Sequence, residues 1–382
     1  MGTFSVAVVT STRADYGLLR PVISGIANDP DLDLELYVTG AHLMPELGRT
    51  VSEIESDGFP YIAVDIMTGA GGDTLTAMAN ALQLFGNAFR SKKPDVLVVL
   101  GDRYEIFAVC VAAAACGVSI AHISGGETTE GARDEYYRHC ITKMSSLHFP
   151  AAEFYRKRII QMGEQPETVI TSGALGIENA GKLPVVSREA LTEKYGFDFN
   201  RPFILATYHP ETMGSGIKGI YPFIEALTQL GLPVLFTKAN ADEGGEQINA
   251  ILEERCAGTA GWKLVPNLGA VNYFSALRYC TCVAGNSSSA LTEAPAMGKP
   301  SVNVGNRQKG RYTCSSVITC PSNKESVLSA LKKAISPEFQ RTAAASENPF
   351  YVGKDASIVI VSTLKERLQA GLSQNKSFYD IV

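Results

Sequence analysis

Ser287 and Ser288 follow a short apolar run in the segment CVAGNSSSALTEAP, where a helix is expected to begin. Free backbone N–H groups and hydroxyls at a helix N-terminus bind anions, and a pyrophosphate suits such a site. Glu293 lies one turn further along, where its carboxylate could accept hydrogen bonds from a ribose diol. An ordinary Ser/Asn helix cap with an acid in the first turns is the structural alternative. This segment is the strongest local indication of a binding site in the chain.

A basic segment, GNRQKGR, ends the next apolar run and contains Arg307 and Arg311. Arginines beside an anion site would stabilise a leaving group that gains negative charge. Arg13 follows the first apolar run of the chain, in TSTRADYG, next to the start of an expected helix. At that turn, a helix cap by Asp15 with a solvated Arg13 explains the residues equally well. The sequence contains no GxxxxGK[ST] phosphate loop.

Acidic residues are dense after two further apolar runs. Asp102 follows DVLVVL in the segment GDRYEIF, and Glu127 and Asp134 lie in SGGETTEGARDEYYRHCITKM, with Arg138 one turn after Asp134. Crowded carboxylates shift one another's pKa upward, which makes them candidates for acid/base catalysis. The structural alternatives are a helix cap by Asp102 and a surface ion pair between Asp134 and Arg138.

Two histidines and one asparagine also lie at the ends of apolar runs. His209 follows FILATY, where an imidazole that titrates near neutral pH is suited to carry a proton. His122, inside the run SIAHI, is more typical of a hydrogen-bonded core histidine. Asn240 ends the run VLFTKAN, and turn formation is the usual role of asparagine at such a place.

The elements that must position these residues are short β-rich runs that alternate with helical segments. The runs are continuous and rich in Val and Ile, as in parallel strands covered on both faces. This alternation predicts an α/β fold with parallel sheets, whose ligands bind beyond the carboxyl ends of the strands. The runs are SVAVVTS, LELYVTG, DVLVVLG, SIAHISG, HFPAA, TVITSG, PFILATYH, VLFTKAN, KLVPNL, TCVAGNS and SVNVG.

The chain of 382 residues is too long for one ordinary core, so two domains are expected. Glycine and proline cluster around residues 173–184, where the strand pattern lapses. We therefore expect one sheet domain over residues 1–173 and a second over residues 174–355. An amphipathic C-terminal helix is predicted within residues 356–382, and it is expected to cross back onto the first domain.

Composition restricts the class of protein. Hydrophobic residues make up 45% and charged residues 19%, as in globular enzymes. The net charge of −5 and the lack of a long basic run argue against nucleic acid or an anionic membrane as a partner. No signal-like N-terminus and no membrane-length apolar run occur, so a cytoplasmic protein is expected. The eight cysteines include no CxxC pair, which favours reduced thiols over disulfides or zinc.

With these motifs in view, the chain resembles the UDP-N-acetylglucosamine 2-epimerase family over nearly its whole length. The resemblance rests on TSTRADYG, VTGAHL, GDRYEIF, HISGGE with the following DE and RHCITK, HPET, GNSSSALTEAP and GNRQKGR, which occur in family order. GDRYEIF and RHCITKMSSLH are most similar to the hydrolysing branch of bacterial sialic-acid pathways. The non-hydrolysing branch carries a lysine shortly after its first arginine, and Leu18 occupies about that place here.

The resemblance implies two Rossmann-like domains of the GT-B type, with a UDP-sugar in a central cleft and UDP on the C-terminal domain. It also implies a homodimer that needs no cofactor and no metal. The expected activity converts UDP-N-acetylglucosamine and water to UDP and N-acetylmannosamine through 2-acetamidoglucal, for sialic-acid or capsule biosynthesis. The alternatives are a hydrolysing epimerase acting on UDP-N,N'-diacetylbacillosamine, a non-hydrolysing epimerase, a GT-B glycosyltransferase and a non-catalytic nucleotide-sugar sensor.

The family motifs also assign residues to roles. One departure is Ser124, which stands where many relatives have Glu in the HIxGGE motif, although Glu127 is kept. Because a hydroxyl cannot replace a carboxylate as a base, the division of acid and base roles stays open. The expected catalytic residues are Asp102, Glu127, Asp134, Arg138 and His209, and the expected substrate contacts are Arg13, His122, Ser124, Asn240, Ser287, Ser288, Glu293, Arg307 and Arg311.

Overall fold

A computed structural model describes residues 2–44, 50–130, 134–211, 216–239 and 244–381. Strands and helices alternate along these ranges, as the sequence pattern predicts. The strands are β1 Phe4–Thr10, β2 Leu32–Thr39, β3 Ile62–Val64, β4 Val96–Leu100, β5 Ser119–Ile123, β6 Leu147–Phe149, β7 Ile204–Thr207, β8 Val234–Thr237, β9 Trp262–Val265, β10 Cys282–Gly285, β11 Ser301–Val304 and β12 Val317–Cys320. The α-helices are α1 Arg13–Ala27, α2 Val51–Asp57, α3 Thr74–Ser91, α4 Tyr104–Ala115, α5 Asp134–Met144, α6 Glu153–Gln161, α7 Leu175–Lys182, α8 Arg188–Tyr195, α9 Ile220–Leu230, α10 Gly245–Gly258, α11 Gly269–Tyr279, α12 Glu293–Ala296, α13 Lys324–Ala334, α14 Pro337–Ala344 and α15 Ala356–Gln369.

The first sheet is parallel and six-stranded, with the order β3-β2-β1-β4-β5-β6. Successive residues of β1 enter different cores, because helices cover both faces of the sheet. Val6 and Val8 pack in the core that contains α1 and α15, whereas Ala7 and Val9 pack in the core that contains α3 and α4. This double burial explains the continuous apolar run of the strand. The strand order reverses between β1 and β4, which leaves a crevice beyond their carboxyl ends.

The second sheet is also parallel and six-stranded, with the order β12-β11-β10-β7-β8-β9. Counted from its own first strand, this order is the same as in the first sheet, and the reversal falls between β7 and β10. Gly285 ends β10 with a φ of +131°, and a Cβ at this position would lie 1.8 Å from the carbonyl oxygen of Thr207. Glycine is therefore required where the two central strands end.

The chain divides into two compact units, each with one of the sheets. Unit 1 consists of Met1–Glu127, Arg133–Asn179 and Phe350–Val382, and unit 2 of Thr128–Ala132 and Ala180–Pro349. The main division falls between residues 179 and 180, whereas the boundary predicted from the sequence was at residue 173. The two parallel sheets with their helices confirm the expected α/β class with two Rossmann-like units.

The C-terminal segment is anchored in unit 1 by a buried carboxylate. The Glu164 side chain is 1% exposed and accepts hydrogen bonds from Lys143 at 2.5 Å and from His148 at 3.0 Å. Lys376 of the C-terminal segment adds a third contact at 2.6 Å. Its ammonium also donates to the carbonyl of Ser145 at 2.6 Å. These four residues, Glu164, His148, Lys143 and Lys376, are called the Glu164 cluster below.

The secondary structure differs from the sequence prediction at the margins of the sheets. The edge strands β3 and β12 were not among the predicted runs. The predicted run TVITSG forms a bridge between Val169 and His148 but no named strand. None of the helices in the described ranges combines the length and apolar composition that crossing a membrane requires.

The eight cysteines are free thiols. Burial raises the pKa of Cys280 to about 12, and it raises the pKa of Cys256 to about 11. Such thiols stay protonated and unreactive, so they contribute to packing rather than to chemistry. Among the described residues, no group of three or more His, Cys, Asp or Glu side chains is arranged to hold a metal ion.

Candidate active site

The carboxyl end of β4 carries an ionic cluster around Arg138, whose side chain is 1% exposed. The guanidinium contacts the carboxylate of Asp102 and lies 2.7 Å from Glu135 Oε2. It also donates a hydrogen bond of 3.0 Å to the backbone carbonyl of Glu127. A buried arginine requires such partners, because an unpaired charge inside a protein is strongly unfavourable. Arg138, Asp102 and Glu135 are called the Arg138 cluster below.

The electrostatics of the Arg138 cluster keep its cation charged. Burial by itself lowers the pKa of Arg138, whereas the charge and hydrogen bond of Asp102 raise it, and the net direction is upward. Arg138 is therefore a permanent cation that fixes one side of Asp102. The Asp102 side chain remains 25% exposed. A carboxylate that is oriented by the protein and still accessible meets the requirement for an acid/base group.

Glu135 and His139 extend this cluster along α5, and neither was among the predicted site residues. The second carboxylate oxygen of Glu135 lies 3.0 Å from His139 Nε2. The spacing of three and four residues could have indicated both contacts of Glu135, since such residues share a helix face. For Arg138, a surface ion pair with Asp134 was the structural alternative that the spacing suggested. Asp134 is exposed at the first residue of α5.

His122, an expected substrate contact, is fully buried in β5. Its Nε2 lies 2.7 Å from the carbonyl oxygen of Gly101, and its Nδ1 lies 3.2 Å from Thr142 Oγ1. Burial lowers the pKa of His122 to about 3, so the ring is neutral and Nε2–H donates to Gly101. The imidazole thereby holds the residue that immediately precedes Asp102.

Ser124 has a positive φ of 63°, which among the described residues is otherwise found only at glycines. A left-handed conformation is unfavourable for a residue with a Cβ and persists where the surrounding structure enforces it. The Ser124 N–H donates to the carbonyl of Phe149 at 3.0 Å. Two residues later, a Cβ at Gly126 would lie 2.6 Å from the carbonyl oxygen of Tyr155. This tight turn after β5 therefore fixes the position of Glu127, which is half-buried.

The turn after β1 contains both features that the sequence suggested. Thr12 caps α1 in a capping box with Asp15, whose carboxylate accepts from the N–H of Thr12 at 2.7 Å and of Ser11 at 2.8 Å. Arg13, an expected phosphate contact, is 54% exposed at the same helix end. Its Nε lies 2.6 Å from Glu53 Oε1. The helix cap is therefore present, and the guanidinium of Arg13 remains accessible beside it.

In unit 2, His209 and Asn286 connect the carboxyl ends of β7 and β10. Asn286 is fully buried. Its Oδ1 accepts a hydrogen bond of 2.7 Å from the N–H of His209, and its Nδ2 donates one of 2.8 Å to the carbonyl of His209. One side-chain amide thus holds both peptide groups of His209, while His209 itself is only partly buried.

The basic segment after β11 lies against the same asparagine. Arg307 Nη1 donates to the backbone carbonyl of Asn286 at 3.2 Å, and Gln308 Nε2 donates to it at 2.8 Å. Glu211 holds the start of this segment by accepting from the N–H of Asn306 at 3.0 Å. Asn286, Gln308 and Glu211 were not predicted. A buried amide in a strand-end motif carries no sequence signal that separates it from a turn former.

The predicted anion-binding helix is shorter than expected. Ser287 precedes a 3-10 helix at Ser288–Ala290, and α12 has only four residues. The Ser287 side chain makes no hydrogen bond to that helix end, and both Ser287 and Ser288 are half-buried. Glu293 opens α12, where the hydroxyl of Thr292 contacts its carboxylate. A helix this short has a small dipole, so its N–H groups and hydroxyls would provide the attraction for an anion.

Arg311 contacts the short segment that begins at Thr128. Its Nε lies 3.3 Å from the carbonyl of Thr128, and its Nη2 lies 3.4 Å from Thr129 Oγ1. The Thr128 hydroxyl donates in turn to the carbonyl of Gly310 at 2.6 Å. Arg311 therefore holds a protein segment within unit 2. Asn240, the remaining predicted contact, lies outside the described residues.

The class of fold is defined by comparison with solved structures. The structure titled UDP-GlcNAc 2-epimerase from Neisseria meningitidis bound to UDP-GlcNAc matches with a TM-score of 0.82 at 20% identity. The match covers 95% of this chain and 100% of that one. At this identity the likeness concerns the fold, which is the two-domain GT-B type.

The family follows from sequence. A family model described as UDP-N-acetylglucosamine 2-epimerase matches residues 24–365. Polysialic acid biosynthesis protein P7 of Escherichia coli is 34% identical over 98% of this chain and 97% of its own length. The GDP/UDP-N,N'-diacetylbacillosamine 2-epimerase (hydrolyzing) of Campylobacter jejuni is 36% identical over 89% of this chain and 90% of its own. The chain belongs to the UDP-N-acetylglucosamine 2-epimerase family, which confirms the resemblance inferred from the motifs.

Proposed function

We propose that this protein is a hydrolysing 2-epimerase that converts UDP-N-acetylglucosamine and water to UDP and N-acetylmannosamine. The observation that carries the proposal is the accessible carboxylate of Asp102, held against the buried cation Arg138 at the end of β4. The relative from Campylobacter jejuni, whose name includes hydrolyzing, supports the hydrolysing type. The relative from Escherichia coli, named for polysialic acid biosynthesis, supports a role in sialic-acid or capsule biosynthesis.

The chemistry requires two tasks of the protein. The hydrogen on C2 of the sugar becomes removable when the C1–O bond to UDP breaks, because positive charge then develops at C1. Arginines and backbone N–H groups stabilise the departing diphosphate. A positioned carboxylate or imidazole accepts the C2 proton. Loss of UDP and of that proton gives 2-acetamidoglucal, with a double bond between C1 and C2.

The second half of the reaction adds water across this double bond. A hydroxyl group joins C1, and a proton returns to C2 from the opposite face, which gives N-acetylmannosamine. In this proposal Asp102, Glu127, Asp134 and His209 share the proton transfers, and Arg138 orients Asp102. The proposed substrate contacts are Ser287, Ser288 and Arg307 for the diphosphate, Glu293 for the ribose, and Arg13, Ser124, Asn240 and Arg311 for the remaining contacts. His122 is not among them, because its side chain is fully buried and bonded to the carbonyl of Gly101.

A second candidate substrate is UDP-N,N'-diacetylbacillosamine. The Campylobacter jejuni relative carries this sugar in its name. Ser124 also supports this second candidate, since a serine in place of the expected glutamate changes the surroundings of the sugar. The reaction type would be the same for either sugar. We expect a homodimer located in the cytoplasm in both cases, and light scattering on the purified protein tests the dimer.

The decisive experiment incubates the protein with UDP-N-acetylglucosamine in D₂O and follows the products by NMR. Release of UDP together with N-acetylmannosamine deuterated at C2 is the expected result. Accumulation of UDP-N-acetylmannosamine would show the non-hydrolysing reaction, and UDP release that needs an acceptor sugar would show a glycosyltransferase. A parallel incubation with UDP-N,N'-diacetylbacillosamine identifies the preferred sugar from the ratio of kcat/KM values.

A further inference from the structure

Asn286 contacts two separate segments of unit 2. Its side chain holds His209 after β7, and its backbone carbonyl receives Arg307 and Gln308 after β11. We infer that Asn286 is a positioning residue, which sets His209 and Arg307 in register for proton transfer and diphosphate binding. This inference rests on the proposed function, because it assigns a role within the same site.

The chemistry of the contact requires an amide. The Oδ1 atom accepts at 2.7 Å from an N–H, and the Nδ2 atom donates at 2.8 Å to a carbonyl, both of His209. Aspartate has the same shape but would direct a second oxygen at the His209 carbonyl, and alanine removes both of these hydrogen bonds. Asn286 is fully buried, so both hydrogen bonds are made inside the protein.

The position of Asn286 is itself fixed by the sheet. Its N–H donates to the carbonyl of Thr207 at 3.2 Å, and Gly285 before it allows the two strands to approach. Asn286 therefore attaches the segments that contain His209 and Arg307, which lie outside the strands, to the rigid end of β10. A displacement of either segment by about 1 Å is enough to reduce a rate by about 10²-fold.

The first test compares kcat and KM of Asn286→Asp and Asn286→Ala with the parent protein. We expect kcat to fall by about 10–100-fold in both variants. The UDP dissociation constant should also rise, because a shift of the Asn286 backbone carbonyl displaces Arg307, which donates a hydrogen bond to it. Asn323→Ala is the matched control, since it also removes an amide bonded to a backbone N–H in unit 2, at 2.9 Å from Ser326, at the start of α13. It should retain the parent kcat.

A double-mutant comparison separates positioning from a general loss of structure. If Asn286 acts through His209, then adding Asn286→Ala to His209→Ala should lower kcat little further. If the fold-loss of kcat in the double variant equals the product of the fold-losses in the two single variants, the inference is contradicted. A kcat of Asn286→Asp within twofold of the parent would contradict it as well.

Hydrogen–deuterium exchange keeps the inference testable without turnover. The peptides that contain His209 and residues 305–311 should exchange faster in Asn286→Asp than in the parent, while peptides of unit 1 should not change. Unchanged exchange in both peptides would overturn the inference whatever the activity. A parent protein that turns over neither UDP-sugar would overturn the proposed function, and the exchange result would still decide whether Asn286 positions the two segments.

Discussion

The two units have the same strand order but place different chemistry at the point where that order reverses. In unit 1, the end of β4 carries the Arg138 cluster, with an accessible carboxylate on Asp102. In unit 2, the corresponding end of β10 carries Asn286, whose neutral side-chain amide holds the backbone of His209 and whose backbone carbonyl accepts a hydrogen bond from the guanidinium of Arg307. Carboxylates dominate the first arrangement, and hydrogen-bond donors and a cation dominate the second.

This difference teaches that the topology supplies a crevice and the residues after each strand decide its use. A fixed carboxylate is suited to exchange a proton with carbon, whereas amides and an arginine are suited to a diphosphate. The Glu164 cluster supplies a third case, since its charges lie in unit 1 away from the ends of β1 and β4. Charges at a strand end should therefore affect activity, and charges elsewhere should affect stability.

The largest effect is expected for Asp102→Asn, which keeps the size of the side chain and removes its charge. Without that carboxylate the rate of deuterium incorporation at C2 should fall by about 10²–10⁴-fold. UDP affinity, measured by calorimetry, should change by less than about threefold, because the proposed diphosphate contacts lie in unit 2. Asp33→Asn is a matched control in the same unit, with a side chain that is 59% exposed. Near-normal deuterium incorporation in Asp102→Asn would refute the division of roles between the units.

The next largest effect is expected for Arg307→Ala, which removes the cation beside Asn286. The UDP dissociation constant should rise by about 10–100-fold, because a charge-assisted hydrogen bond contributes roughly 1.5–3 kcal/mol. Lys309→Ala is the control on the same segment, since the Lys309 side chain is 65% exposed and its ammonium lies 2.9 Å from Glu130 Oε2. Equal losses of affinity in both variants would mean that general positive charge matters and that the position of Arg307 does not.

A smaller effect, confined to stability, is expected for Glu164→Gln. The amide cannot neutralise Lys143 and Lys376, so the free energy of unfolding should fall by roughly 1–3 kcal/mol. Urea unfolding at pH 7 measures this loss. The kcat of the folded variant should equal that of the parent. A tenfold loss of kcat without a loss of stability would show that the Glu164 cluster belongs with the functional sites.

The smallest effect is the pH dependence of that stability difference. Burial by itself raises the pKa of Glu164, but hydrogen bonds from His148, Lys143 and Lys376 lower it to about 2, from 4.5. The unfolded state therefore binds the proton first, and the stabilisation is complete above about pH 4.5 and is lost as the pH falls towards 2. The difference between the parent and Glu164→Gln should shrink between pH 6 and pH 3. A difference that stays constant over this range would contradict the assigned pKa.

The central strands were predictable because burial on both faces leaves a clear sequence pattern. β1 and β4 are continuous apolar runs for this reason. Two of the four edge strands, β3 and β12, were not, since two of the three residues of β3 are exposed and β12 is only partly buried. The other two edge strands, β6 and β9, matched predicted runs. The assignment of Thr128–Ala132 to unit 2 was also not predictable, because it depends on contacts with residues far along the chain, such as Gly310.

The candidate site shows the same limit. The strand-end motifs pointed to Asp102, Arg138 and His209, because charged and titratable side chains are unusual beside apolar runs. Glu135 was overlooked as a partner of Arg138 although the spacing of three residues indicates the contact, whereas nothing in the sequence revealed Asn286 as the partner of His209. The second of these pairs joins residues 77 positions apart, so spacing along the chain carries no trace of it.

The C-terminal helix α15 has a consequence for synthesis of the chain. Ile360, Leu364 and Leu368 of α15 belong to the core of unit 1 that also contains α1, yet the whole of unit 2 precedes them in the sequence. The unit whose translation starts first is therefore completed last, after the ribosome has delivered Ala180–Pro349. A nascent chain that stops before residue 350 leaves uncovered the part of α1 that packs against α15, and exposed apolar surface of this kind is a state that chaperones recognise.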